Sequence, residues 1–183
     1  MSATGTAWRR VLVLGGIRSG KSEFAEDLVA DAEQVRYVAT ARRDIGDAEW
    51  AARIDAHRAR RLGHWRTTEI GDTPLALTDV VATAESREAL LVDDLGGWVG
   101  AVMETTDALC WPDLVSELGT AVSGCAARLV LVSPEVGLSL VPATAAGRAF
   151  ADSVGMVNRS IAAVCDVVVL VVAGNAVAVK GTL

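Results

Sequence analysis

The chain has 183 residues, a formal net charge of −6 and a pI of about 4.9, and 51% of its residues are hydrophobic. This length fits one domain with a substantial core, and the acidic balance argues against nucleic acid as a binding partner. No apolar run is long enough for a membrane span and no signal peptide is apparent, so we expect no stable membrane insertion and a cytoplasmic protein. The prediction is one domain over residues 1–183, with residues 1–8 as a flexible tail.

The three cysteines, Cys110, Cys125 and Cys165, are dispersed and show neither CxxC nor Cys/His spacing. Such a set in a cytosolic chain is typical of reduced thiols that are mostly buried. We therefore expect neither a disulfide nor a zinc site.

The first predicted element is a short buried strand at residues 11–14, which leads into the segment GGIRSGKS at residues 15–22. This segment fits G-x-x-x-x-G-K-[ST], the phosphate-binding P-loop, in its required place between a strand and a helix. Glycine lets the loop N–H groups approach phosphate oxygens, and the helix that starts near Lys21 directs its positive end at them. Lys21 can reach the β- and γ-phosphates, and the Ser22 hydroxyl can bind Mg²⁺. The predicted nucleotide-binding loop consists of Gly15, Gly16, Ile17, Arg18, Ser19, Gly20, Lys21 and Ser22.

The stretch after the P-loop helix predicts strands at residues 35–41 and 65–69 and helices at residues 48–61 and 75–84. Pro74 is suited to open the second of these helices, because proline is favourable at a first helical position. Residues four apart share one face of a helix. On the first helix that face carries Glu49, Arg53, His57 and Arg61.

A local basic patch in this acidic protein is formed by Arg53, Arg58, Arg60, Arg61 and Arg66. One interpretation is an ordinary solvated helix face. The other is a second site for anionic ligands, since arginine binds phosphate through paired hydrogen bonds. The chain has two histidines, and we interpret His64, beside a predicted strand, as structural.

Residues 89–94, ALLVDD, predict a buried strand that ends in carboxylates. Downstream of a P-loop, an apolar strand ending in Asp resembles the Walker B element, whose carboxylate holds Mg²⁺ directly or through water. We favour Asp93 for this role because the end of such a strand lies beside the P-loop. Asp94 is the alternative.

The remaining elements alternate to the end of the chain: helices at residues 99–103, 113–122 and 146–164, strands at residues 127–133 and 166–173, and a last strand at residues 176–180 after a turn at Gly174–Asn175. Continuous Val and Leu runs are typical of strands that are covered on both faces. The predicted fold class is therefore α/β, a P-loop NTPase-like three-layer sandwich with a mainly parallel sheet and a C-terminal antiparallel hairpin.

Several short motifs follow one another along residues 11–180. They are GGIRSGKS from residue 15, YVATA from 37, RIDAHR from 53, WRTTE from 65, LVD from 91, VSPEVG from 132 and VVAG from 171, together with Pro142, Arg148, Phe150, Asp152, Gly155, Asn158 and Lys180. Each alone is a weak signal, and their ordered sum is specific. This pattern resembles the bifunctional adenosylcobinamide kinase/adenosylcobinamide-phosphate guanylyltransferases of cobalamin biosynthesis.

The resemblance implies two reactions, with ATP and GTP as substrates and Lys21 and His57 as catalytic residues. The γ-phosphate of ATP or GTP goes to the aminopropanol hydroxyl of adenosylcobinamide, and GTP then donates GMP to that phosphate through a GMP–histidine intermediate. The histidine of the family lies in the segment matched by RIDAHR, which makes it His57. The implied nucleotide contacts are Ala39, Thr40, Ala41, Arg58, Ala59, Arg60, Arg61, Glu69 and Asp93, and Mg²⁺ is held by Ser22 and Asp93. A homo-oligomer, a trimer, is also implied.

The sequence departs from the family at two places near the expected kinase centre. Proline stands at position 134 where the family usually has asparagine, and D-C-L-T of the family reads DDLG at residues 93–96. Two other classes therefore stay open. One is a P-loop kinase for another small molecule, in which His57 is incidental. The other is a nucleotide-binding regulatory protein without chemistry.

Overall fold

A computed structural model of the protein describes residues 8–41, 63–105 and 110–183. Within these ranges one sheet is formed by β1 (Arg10–Gly15), β2 (Val35–Ala39), β3 (Arg66–Glu69), β4 (Ala89–Asp93), β5 (Arg128–Pro134), β6 (Val167–Val172) and β7 (Asn175–Lys180). The helices are α1 (Lys21–Asp27), α2 (Ala76–Ala82), α3 (Leu95–Thr105), α4 (Trp111–Gly124) and α5 (Ala145–Val164). None of these helices combines the length and the apolar content that crossing a bilayer requires.

The sheet has the strand order β3-β2-β4-β5-β1-β6-β7. Neighbouring strands from β3 to β6 are parallel, and β7 returns antiparallel to β6 as a hairpin. Parallel strands in the middle of such a sheet are covered on both faces, so their sequences are apolar at nearly every position. This arrangement confirms the predicted α/β fold with its C-terminal hairpin.

Helices cover both faces of the sheet. Leu12 of β1 belongs to the core on one face, which also contains Leu77 of α2, Val115 of α4 and residues of α3 and α5. Val13, one residue further along β1, points to the other face and joins the core around α1. Adjacent strand residues alternate between faces, so each central strand contributes to both cores and the result is three layers.

The structure corrects four predicted boundaries. Helix α3 begins at Leu95 rather than at residue 99, because the Asp94 side chain accepts a hydrogen bond from the Gly97 N–H at 2.7 Å and caps the first turn. Helix α4 begins at Trp111, with proline tolerated in its first turn. Helix α2 spans Ala76–Ala82, which is shorter than the predicted 75–84.

The fourth correction concerns the hairpin, which turns at Ala173 and Gly174 instead of Gly174 and Asn175. Both residues have positive φ, 50° and 77°, which suits the twist of a two-residue hairpin turn.

Trp8 is buried, with 6% of its surface exposed, although the predicted flexible tail includes it. The guanidinium carbon of Arg128 lies 5.6 Å from the centre of the Trp8 ring. Apolar burial and this cation–π contact hold Trp8 against the domain, so the tail prediction is wrong at this residue. Residues 1–7 and the predicted helix at 48–61 lie outside the described residues.

Candidate active site

The carboxyl ends of five strands place the predicted site residues in one row. Gly15 at the end of β1 is in register with Pro134 at the end of β5. Ala39 at the end of β2 is in register with Asp93 on β4 and with Glu69 on β3. In parallel sheets this edge is where ligands bind, so the topology brings the P-loop and the predicted nucleotide contacts to a common surface.

The P-loop connects β1 to α1 with a tightly packed backbone. A Cβ atom on Gly15 would collide with the Ser19 hydroxyl and would lie 2.9 Å from the carbonyl oxygen of Val171. Gly20 has a φ of 92°, in the left-handed region, and accepts the first helical hydrogen bond from the Phe24 N–H at 3.0 Å. The loop therefore requires glycine at both positions that the sequence pattern specifies.

The β6–β7 turn supports the P-loop from one side. The Gly174 N–H donates to the Ser19 carbonyl oxygen at 2.8 Å. The Ser19 hydroxyl is buried and has no hydrogen-bond partner in the part of the chain that the structure describes. A buried unsatisfied hydroxyl in a phosphate-binding loop is the kind of group that a bound anion would satisfy.

Asp93 is the carboxylate that faces the P-loop helix. The Ser22 hydroxyl donates to Asp93 Oδ1 at 3.2 Å, and the Tyr37 hydroxyl donates to Asp93 Oδ2 at 2.6 Å. Ser22 is 7% exposed and Tyr37 is 1% exposed, so both contacts are shielded from water. A hydroxyl beside a carboxylate at the phosphate edge is a donor set that fits Mg²⁺, which takes few protein ligands and completes its shell with phosphate and water.

Asp94 has a different role from its neighbour. Its side chain caps α3, and its carbonyl oxygen accepts a hydrogen bond from the Thr40 hydroxyl at 2.6 Å. The second contact links the end of β2 to the start of α3. Desolvation, reinforced by the adjacent charge of Asp93, raises the pKa of Asp94 to about 6. The geometry thus places Asp93, and not Asp94, beside Ser22.

The two departures from the family pattern touch each other. A Cβ atom on Gly96 would lie 2.6 Å from Cγ and 2.9 Å from Cδ of Pro134. The carbonyl oxygen of Pro134 accepts a hydrogen bond from Asn158 Nδ2 at 3.0 Å, and Asn158 Oδ1 accepts one from the Ser133 hydroxyl. Proline at 134 and glycine at 96 therefore form one fitted contact between β5 and α3.

The other predicted nucleotide contacts fall into two groups. The first group lies within the described residues and comprises Ala39, Thr40, Ala41 and Glu69. These residues are at the ends of β2 and β3, three or more strands from β1. At about 4.8 Å per strand, this separation is about 14 Å or more along the edge of the sheet. The second group lies outside the described residues and comprises His57, Arg58, Ala59, Arg60 and Arg61.

Sequence reasoning did not single out Tyr37 as a site residue. It matched a motif, but nothing local to β2 shows that its hydroxyl reaches Asp93, which is 56 residues away in the chain. Its ring also stacks on Trp65, with 6.5 Å between the ring centres. The available signal was that the only tyrosine of the chain lies two residues before Ala39, on the same face of the strand.

Comparison with known proteins gives a family assignment. Residues 11–179 match the model of a family described as cobinamide kinase / cobinamide phosphate guanyltransferase. The chain belongs to this family. It is 40% identical over 174 residues to the bifunctional adenosylcobalamin biosynthesis protein CobP of Pseudomonas aeruginosa, a match that covers 94% of this chain and 98% of that protein. It is 38% identical over 188 residues to the protein CobU of Salmonella typhimurium, which bears the same description, covering 93% and 99% of the two chains.

A solved structure supports the fold independently of sequence. The ATPase of a bacterial type III secretion system superposes with a TM-score of 0.57 at 11% identity, covering 88% of this chain and 50% of that one. At such low identity the likeness concerns the P-loop NTPase fold alone. The family assignment and the fold thus agree with the resemblance that the motifs indicate.

Proposed function

We propose that this chain performs the two reactions of its family at the carboxyl edge of the sheet. Adenosylcobinamide is first phosphorylated by ATP or GTP, and its phosphate then receives GMP from GTP to give adenosylcobinamide-GDP. The observation that carries the proposal is the Ser22–Asp93 contact, 3.2 Å long, at the mouth of an intact P-loop in a chain of this family.

In the kinase step the acceptor hydroxyl oxygen attacks the γ-phosphorus and its proton passes to solvent. The bond from that phosphorus to the β–γ bridging oxygen breaks, and the nucleoside diphosphate leaves. Lys21 and the loop N–H groups stabilise the charge on the transferring phosphoryl group. Ser22 and Asp93 would hold Mg²⁺, which supplies charge neutralisation on the phosphate oxygens. Tyr37 orients Asp93 through its hydroxyl, so the carboxylate keeps one position.

In the second step we assign the nucleophile to His57. A ring nitrogen of neutral His57 attacks the α-phosphorus of GTP, and the bond to pyrophosphate breaks. An oxygen of the corrinoid phosphate then attacks the same phosphorus, and the bond to His57 breaks. The proposed nucleotide contacts for this step are Ala39, Thr40, Ala41, Arg58, Ala59, Arg60, Arg61, Glu69 and Asp93, among which the arginines balance the triphosphate charge.

We further propose a cytoplasmic homotrimer that has no nucleic-acid partner. ATP and GTP, the phosphoryl and guanylyl donors, are cytoplasmic metabolites, and a chain with net charge −6 repels polyanions. Sedimentation or light scattering of the purified protein tests the trimer directly.

The intact mass of the protein after incubation with GTP and Mg²⁺ tests the second step. We expect an acid-labile GMP adduct on wild type and on His64→Ala, but none on His57→Ala. His64 is the matched control because it is the other histidine of the chain and is exposed. An adduct that survives His57→Ala would refute the assignment of the nucleophile. The kinase proposal is measured separately, by transfer of labelled γ-phosphate to adenosylcobinamide.

A further inference from the structure

An exposed apolar segment follows β5. We call residues 135–144 the β5–α5 loop. Three of its apolar side chains are largely exposed: Leu138 at 80%, Leu140 at 94% and Val141 at 80%. No charged residue occurs from position 136 to 147. Exposed Leu and Val side chains clustered in an uncharged stretch commonly mark a binding surface.

The position of this loop in the sheet is specific. Strand β5 lies between β4, which ends at Asp93, and β1, which ends at the P-loop. The Ser22–Asp93 contact spans the end of β5, so the loop leaves the sheet between the two halves of the phosphate-transfer site. The Glu135 N–H donates to the Gly15 carbonyl oxygen at 3.0 Å, which ties the start of the loop to the start of the P-loop.

The loop has a hydrogen-bonded frame of its own. The Ser139 hydroxyl donates to the Val136 carbonyl oxygen at 2.7 Å, and Arg148 Nη1 donates to the carbonyl oxygens of Pro142 and Ala143 at 3.0 and 2.9 Å. Thr144 then caps α5 by accepting from the Gly147 N–H at 3.1 Å. Hydrogen bonds within the chain therefore satisfy the carbonyl groups of Val136, Pro142 and Ala143 and hold the loop that carries the exposed apolar side chains.

The P-loop adds an apolar side chain at the same edge. Ile17 lies two residues past Gly15 and is 83% exposed. Since Gly15 and Pro134 are paired across β1 and β5, Ile17 and the β5–α5 loop emerge from neighbouring strands. The two segments both supply exposed apolar surface at the carboxyl edge of the sheet.

We propose that the β5–α5 loop, with Ile17, binds the corrin macrocycle of adenosylcobinamide. The inference rests on the kinase half of the proposed function. The acceptor hydroxyl sits on a short arm of this macrocycle and must reach the γ-phosphate, so the ring has to lie against surface that adjoins the P-loop. From Val136 onward the loop carries no charge and exposes Leu138, Leu140 and Val141, which suits the faces of a wide macrocycle. It offers little to a triphosphate, whose charge is met by the P-loop N–H groups and Lys21.

The test replaces Leu138 and Leu140 by Asn, which is polar and nearly the same size. The control replaces Val177 and Val179 by Thr. These residues are 55% and 63% exposed on β7, the edge strand two positions beyond β1, so the same kind of change is made away from the loop. We measure the KM for adenosylcobinamide and for ATP in the kinase reaction, and the Kd for adenosylcobinamide by equilibrium dialysis without nucleotide.

We expect Leu138→Asn/Leu140→Asn to raise both the KM and the Kd for adenosylcobinamide about tenfold or more, with the KM for ATP unchanged. The Val177→Thr/Val179→Thr variant should match wild type. Unchanged corrinoid KM and Kd in the loop variant would overturn the proposal. So would a loss of oligomer in light scattering with the Kd unchanged, since the loop would then be a contact between subunits.

Because dialysis needs no turnover, the two proposals fail in different ways. Failure of the kinase proposal appears as wild-type protein that binds adenosylcobinamide without phosphorylating it. Failure of the loop proposal appears as a variant that binds it as well as wild type does.

Discussion

The contact between Gly96 and Pro134 can be tested by adding one methyl group. In Gly96→Ala the new Cβ would lie 2.6 Å from Cγ and 2.9 Å from Cδ of Pro134, and 3.3 Å from Oδ1 of Asp94. Carbon atoms pack at about 3.5–4.0 Å, so α3 or the end of β5 has to move. Neither is free to do so, because Asp94 caps α3 and Asn158 holds the Pro134 carbonyl.

Overpacking of this kind costs about 1–3 kcal/mol of the free energy of unfolding. At about 2–4 °C per kcal/mol for a domain of this size, a cost of about 2 kcal/mol lowers the Tm by about 4–8 °C. Urea unfolding and a thermal melt followed by circular dichroism measure both quantities. Kinase activity should fall as well, since the shift acts on the carboxylates at positions 93 and 94.

Gly100→Ala is the matched control for this prediction. Gly100 is in the same helix, and a Cβ there meets nothing within 4 Å. The substitution should be neutral or stabilise the protein by up to about 1 kcal/mol, because alanine is the better helix former.

The double variant Gly96→Ala/Pro134→Ala identifies the cause. It removes Cγ and Cδ of the proline, and with them the two closest contacts of the new methyl group. We expect a coupling free energy of about 1 kcal/mol or more in favour of the double variant. If Gly96→Ala melts at the wild-type temperature, or if the two substitutions are additive, the contact does not fix α3 and our reasoning is wrong.

Three further predictions follow from other contacts. Tyr37→Phe removes the hydrogen bond that Tyr37 donates to the Asp93 carboxylate, and a hydrogen bond to a charged group is worth about 1.5–3 kcal/mol. We expect the kinase kcat to fall about tenfold. An unchanged kcat would show that Tyr37 does not orient Asp93. Burial opposes ionisation of Asp166, but the Arg10 guanidinium and two backbone N–H groups outweigh it and hold its pKa below the usual range. Its stabilising contribution is present near neutral pH and is lost as the pH falls below about 4, so Asp166→Asn should flatten that part of the stability curve; parallel curves for the two proteins would contradict this. Cys110 is exposed while the other two cysteines are buried, so a thiol reagent should label one site in the native protein and three after unfolding, as counted by intact mass.

The sequence predicted the local structure well. The P-loop is a contiguous segment whose residues interact with their own neighbours. Its glycines, its lysine and the helix that follows can therefore be predicted from the sequence pattern. Continuous apolar runs likewise predicted the central strands, because burial on both faces imposes a composition that can be read along the chain. The ordered motifs also led to the family assignment that the comparisons with known proteins confirm.

Only the tertiary structure decided how distant segments meet. Asp93, and not Asp94, contacts Ser22, which is 71 residues away, and Asp93 also contacts Tyr37 on β2, three strands from β1. The burial of Trp8, the contact of Gly96 with Pro134 and the exposure of the β5–α5 loop are set by strand order and by packing between layers. A sequence pattern records the period of a helix or strand, while the order of strands in a sheet is fixed by long-range packing that leaves no local period to read.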